Sequence, residues 1–162
     1  MTLVHIVLGS ASDLDAVKAS GITATLDSIG ISNAVSVCSA HRNIEELGKF
    51  VAEAVDDGAK AFIGAAGVAA ALPGALAGLT NMTTPVIGVP LDEHGIDSCI
   101  YMPPGVPVLT TGVGKSGLKN AAIAAAQILA IGDKAIAEGL DKHLAATKKQ
   151  PQFRIDVTAE AK

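Results

Sequence analysis

The chain has 162 residues, long enough for one domain with a substantial core and too short for two comfortable ones. Hydrophobic residues make up 49% and aromatics 2%, so the apolar content is mostly Ala, Val, Ile and Leu. Such a composition suits close helix-on-sheet packing and leaves part of the burial to contacts between subunits. The net charge of -4, without any basic cluster interleaved with aromatics, argues against nucleic acid as a partner.

The apolar run Leu3 to Leu8 is a buried strand stopped by Gly9. It is far shorter than a membrane span and carries no basic leader or cleavage signature. After Ser10, Ser12 and Asp13, the apolar positions Leu14, Val17, Ile22 and Leu26 predict a helix from about Leu14 to Ile29, weakened at Gly21. A second strand spans Ala34 to Cys38. A helix follows from Ile44 to about Asp57, with Ile44, Leu47, Val51 and Val55 at helical spacing and Gly58 ending it. Ala61 to Gly64 is a third strand, giving the βαβαβ rhythm of a parallel sheet.

Residues Ala65 to Gly74 are nearly without bulk, which allows backbone amides to approach a ligand or the helix start to pack tightly on the sheet. A helix of about ten residues ends near Leu79, and Pro85 to Pro90 forms the fourth strand. Leu91 to Pro104 is rich in turn formers and reads as a lid or interface loop, its Asp92, Glu93, His94 and Asp97 forming a solvated cluster. The fifth strand is about Val106 to Thr111. The last helix starts near Gly117, runs through the alanines to Ala130 and continues toward Leu140, His143 and Leu144. The domain is therefore assigned to residues 1–149, and residues 150–162 to an extended or frayed tail.

The chemistry concentrates in Ser39-Ala40-His41-Arg42, the loop after the second strand. In an open α/β sheet such loops are where ligands bind. An imidazole takes and returns protons near neutral pH, and a guanidinium grips a phosphate or carboxylate in two places. The same residues also fit a plain capping turn before the next helix. Because parallel strands end at one edge, Ser10, Ser12 and Asp13, then Ser39, His41 and Arg42, then the small-residue run containing Gly67 and Leu72 can surround one pocket. Hydroxyls, an Arg and bare amides suit a phosphate. Asp13 suits ribose hydroxyls, or a helix cap, or both. The ligand inferred is a ribonucleotide presented to His41.

Other readings fail. Gly112-Val113-Gly114-Lys115-Ser116-Gly117 lacks the following strand of a dinucleotide fingerprint, and Leu109 stands where a nucleotide-triphosphate loop needs glycine; a tight packing turn fits better. His5, His41, His94 and His143 show no metal-ligand spacing, and no Gly-x-Ser-x-Gly elbow is present. Cys38 and Cys99 read as free buried thiols of a reducing compartment, so a cytoplasmic protein is expected.

Gly9-Ser10-Ala11-Ser12-Asp13, Ser39-Ala40-His41-Arg42, Leu72-Pro73-Gly74, the Pro85 to Pro90 strand, Met102-Pro103-Pro104-Gly105-Val106-Pro107 and Asn120 through Ala130 together resemble the catalytic phosphoribosylaminoimidazole carboxylase family of purine biosynthesis, from about Val4 to Lys134. The resemblance implies a three-layer α/β/α flavodoxin-like domain with a mostly parallel sheet and a long C-terminal helix, assembled as a homo-octamer. It implies that Ser10, Ser12, Asp13, Ser39, Arg42, Gly67 and Leu72 bind an aminoimidazole ribonucleotide while His41 shuttles the proton. Carboxylate then moves from the ring amine to the ring carbon by way of CO2, with neither metal nor organic cofactor.

Two departures from that pattern stand out. Ala71 replaces a family His just before Leu-Pro-Gly, and the segment after Pro90 is several residues shorter and carries His94. Three alternatives therefore stay open beside a mutase (isomerase): a lyase-type carboxylase using CO2 directly, a carboxylase of another ribonucleotide, and a non-catalytic nucleotide-binding homologue. His94 is expected to fold back and replace part of the missing group.

Overall fold

The computed structural model describes residues 1–148, so the predicted tail lies outside the described residues. In chain order the elements are β1 (Val4–Leu8), α1 (Leu14–Ser20), α2 (Ile22–Ile29), β2 (Asn33–Val37), α3 (Ile44–Asp56), β3 (Ala61–Ala66), α4 (Leu72–Leu79), β4 (Val86–Pro90), α5 (Ile96–Ile100), β5 (Leu109–Thr110), α6 (Gly114–Ala130) and α7 (Lys134–Thr147), with short 3₁₀ turns at Ala11–Asp13 and Glu93–Gly95. The strands form one sheet in the order β2-β1-β3-β4-β5, every neighbouring pair parallel.

Alternation along the central strands divides the core in two. Val4, Ile6 and Leu8 of β1, with Ile63 of β3 and Ile87 and Val89 of β4, face a layer of α1, α2, α6 and α7. On the other face Val7, Phe62 and Val86 meet Leu47 and Val51 of α3 and Leu72 and Leu76 of α4. The alanines of α6 explain that helix's place. Ala121, Ala122, Ala125 and Ala126 are all fully buried, so the backbone of α6 rides close to the sheet.

Several boundaries differ from the pattern-based expectation, each for a local reason. The helix predicted over Leu14 to Ile29 breaks at Gly21, whose φ of +69° closes α1 and starts α2, with the Ser20 hydroxyl accepting the Ile22 N–H at 3.2 Å. Ile44, expected on the buried face of α3, is 48% exposed. The supposedly irregular stretch after Leu91 contains a 3₁₀ turn and α5, and β5 shrinks to two residues at the sheet edge. The continuous C-terminal helix is instead two helices. Asp133 caps α7 by accepting the Ala135 and Ile136 N–H groups at 2.9 and 3.2 Å, and α7 folds back on α6 and α2. Among the described residues, no helix is long and apolar enough to cross a membrane.

Candidate active site

Because all five strands run the same way, their carboxyl ends share one edge, and the loops leaving β1, β2, β3 and β4 rise there together. The order reverses beside β1, whose neighbours are β2 on one side and β3 on the other. The helices diverge at that point and leave a crevice. A cavity of about 360 Å³ occupies it, and its lining includes His41, Arg42, Ser10, Ser12, Asp13, Ser39, Gly67 and Leu72. All eight residues expected at the site thus border one space. Ser10, Ser39 and Arg42 also border an adjoining hollow of about 350 Å³ with Cys38, Asn43 and Glu46, so they form the ridge between the two.

Each loop is fixed by its own hydrogen bonds. After β1, Ser10 and Asp13 form a reciprocal capping box: the Ser10 N–H donates to Asp13 Oδ2 at 3.0 Å, and Ser10 Oγ accepts the Ser12 N–H at 3.3 Å and the Ser12 hydroxyl at 2.8 Å. Asp13 is therefore a cap and a cavity residue at once. Its Oδ1, approached by Ser12 Oγ at 3.5 Å, keeps acceptor capacity. After β2, the Ser39 carbonyl accepts the Arg42 and Asn43 N–H groups at 3.3 and 2.8 Å, closing the turn that carries His41. His41 and Arg42 are both exposed on it, and among the described residues Arg42 makes no ion pair. A guanidinium left in this state is available to an anion.

The third wall is the run after β3. Leu72 is buried at the start of α4, where Pro73 needs no intrahelical partner for its missing N–H. Val68, Ala69 and Ala71 offer the cavity almost no side-chain bulk, and no imidazole stands at position 71. Here the structure adds a residue that the pattern reading assigned to solvent. Asp92, leaving β4, lines the cavity, and its Oδ2 accepts the Val68 N–H at 2.9 Å. That hydrogen bond, followed by those from the Gly95 and His94 N–H groups and by the nearby His94 charge, holds the Asp92 carboxyl below its ordinary value against the opposing effect of burial. His94 does not fold back as expected: it is exposed and does not border the cavity, because its backbone is tied into the turn that Asp92 caps.

The glycine motif after β5 is a packing turn. The Gly112 carbonyl and Val89 Cγ1 occupy the space a side chain on Gly117 would need, which brings α6 against β4. Cys99 is buried, whereas Cys38 is only half-buried; both are free thiols. Burial, the larger effect, and Glu46 both push the Cys38 thiol up. Among the described residues, no three His, Cys, Asp or Glu side chains are arranged to hold a metal ion.

Comparison with known proteins gives this geometry a family. A Bacillus subtilis (strain 168) protein named N5-carboxyaminoimidazole ribonucleotide mutase is 40% identical, over 91% of this chain and 92% of its own length. A Methanocaldococcus jannaschii protein of the same name is 42% identical, over 91% of this chain and 92% of its own. The crystal structure of Treponema denticola PurE superposes with a TM-score of 0.78 at 30% identity, covering 90% of this chain and 91% of that one. The AIR carboxylase family matches residues 3–150, and with that span the chain belongs to the AIR carboxylase family.

Proposed function

We propose that this protein is a purine-biosynthesis enzyme that moves carboxylate on aminoimidazole ribonucleotide, converting N5-carboxyaminoimidazole ribonucleotide to 4-carboxy-5-aminoimidazole ribonucleotide. The observation that carries the reading is one cavity in which His41 and Arg42 meet the hydroxyls of Ser10, Ser12 and Ser39, in a chain 40% identical to a relative bearing the mutase name. Arg42, Ser10 and Ser39 hold the phosphate, and Asp13 accepts from the ribose hydroxyls. Gly67 and Leu72 bring backbone against the base.

In the reaction, the bond between the ring amine and its carboxylate breaks, the amine takes a proton and CO2 is released. The ring carbon then attacks CO2, and its proton leaves. His41 gives the first proton and receives the second, so the cycle closes with no net proton change. Water must be kept from the CO2 while it is free.

Replacing His41 with Asn abolishes turnover and leaves ribonucleotide affinity within a few-fold; retained turnover removes the role. A second reading, direct carboxylation by CO2, is favoured by the apolar wall at Ala71. Assaying both ribonucleotides with and without bicarbonate separates the two, because only a mutase consumes the carbamate without added CO2. Two free cysteines support work in the reducing cytoplasm. Exposed Tyr101, Ile100 and Leu109 beside the β5 edge support assembly into a homo-oligomer, an octamer by analogy, which sedimentation measures.

A further inference from the structure

We propose that Asp92 is a positioning residue for this reaction: its carboxylate holds the 67–71 wall in a backbone conformation that the wall does not adopt by itself. The inference rests on the ribonucleotide reading above, and three observations carry it. Val68 has a φ of +51°, a left-handed conformation that β-branched residues rarely take, and its N–H donates to Asp92 Oδ2 at 2.9 Å. A side chain on Gly67 would collide with the same Oδ2, so the carboxylate fills the space that Gly67 leaves open. The turn Asp92 caps then presses on the wall from behind: Ala70 Cβ and the Val68 carbonyl lie 3.0 and 3.3 Å from where a Gly95 Cβ would stand. Val68, Ala69 and Ala71 all border the cavity, so the brace sets the shape of the face opposite His41.

The two carboxylate oxygens divide the work. Oδ1 accepts from the His94 and Gly95 N–H groups at 3.0 and 3.2 Å, and Oδ2 accepts from Val68. An amide cannot replace this arrangement. In either orientation, the NH2 group introduced by Asp92→Asn would face a backbone N–H donor, and one side of the brace would open.

The test is a double-mutant cycle on the full chain with Asp92→Ala and Val68→Gly, plus Asp92→Asn, reading KM and kcat on N5-carboxyaminoimidazole ribonucleotide and the melting temperature. Asp92→Ala and Asp92→Asn are expected to lower kcat/KM by about tenfold to a hundredfold, the size of effect that a small misplacement of a site wall produces. In the Val68→Gly background, where glycine tolerates the left-handed conformation, the same Asp92→Ala change should cost several-fold less. Equal loss in both backgrounds, or no loss in either, overturns the proposal. If the unmodified protein turns over neither ribonucleotide, the functional reading fails, and amide exchange then decides the brace. Faster exchange across residues 66–72 in Asp92→Ala supports it, and unchanged exchange refutes it.

Discussion

Replacing Gly64 with Ala tests whether the site depends on how closely α4 sits on the sheet. Gly64 of β3 pairs with Gly88 of β4, and these two bare positions receive Pro73 and Leu76 of α4. A methyl group on Gly64 would lie 2.9 Å from Leu76 Cδ1, 3.2 Å from Pro73 Cα and 3.4 Å from Pro73 Cγ. The Leu76 methyl can rotate aside, but the Pro73 Cα is backbone, so α4 itself must move out. Overpacking of this kind costs about 1–3 kcal/mol. Ala in place of Gly in a strand returns roughly 0.5–1 kcal/mol of chain entropy. The net is a destabilisation of roughly 0–2.5 kcal/mol, centred a little above 1, which at that centre lowers the melting temperature by about 2–5 °C for a chain of this size. Activity should fall further than stability, because Leu72 and Pro73 begin α4 at the cavity and move with it. Gly78→Ala is the control. It lies on the same helix with nothing within 4 Å, and should stabilise by about 0.5–1 kcal/mol. Calorimetry and steady-state rates on both variants decide the matter: Gly64→Ala melting at or above the parent temperature with unchanged kcat/KM would refute the argument.

Three further perturbations probe other parts of the molecule. His5 is stacked on Phe62 and edge-on to Phe50, its buried Nδ1 has no partner among the described residues, and burial lowers its pKa against the opposing pull of Asp57. The unfolded chain therefore binds a proton that the folded one refuses. Stability is full above the ordinary value of 6.5 and falls as pH drops from there toward the lowered folded value; urea midpoints on either side of 6.5 should show this slope, and His5→Phe should flatten it. Arg42→Lys should raise KM by about tenfold with a smaller change in kcat, since an ammonium cannot grip a phosphate in two places; initial-rate kinetics read this directly. Asp133→Ala removes the cap of α7 and should cost about 1 kcal/mol in a thermal melt while leaving kcat/KM unchanged, since that cap is at the end of the sheet away from the cavity.

The fold was legible because the central strands β1, β3 and β4 are short, mostly apolar runs, interrupted in polarity only by His5 of β1, and such runs fit a parallel sheet covered on both faces. What periodicity misjudged were places where one residue's dihedral or one hydrogen bond decides the outcome. A helical pattern continues straight through Gly21 and through Ile131-Gly132-Asp133, since hydrophobic spacing says nothing about a positive φ or an aspartate cap. The reduction of β5 to Leu109–Thr110 has a similar origin. Pro107, inside the run Val106 to Thr111, has no N–H to give a ladder, and Gly112 at a φ of +116° turns the chain away just beyond it, so only Leu109 and Thr110 pair with β4.

The site shows the same division. That Ser10, Asp13, Ser39, His41 and Arg42 would border one cavity was readable because topology alone sends the loops after β1 and β2 to a shared edge, whatever their exact conformations. Asp92 was missed although the same rule covers it, since β4 ends just before it at Pro90 and its loop rises at the same edge. The acidic neighbours Glu93 and Asp97 made the segment look like a solvated loop. The available signal was its cap geometry: an Asp just beyond a strand, three residues before a glycine, predicts a side chain turned back on its own backbone. No periodicity, however, reports that Val68 takes a positive φ, and that single dihedral is what turns the Asp92 carboxylate from a loop cap into a strut across two walls.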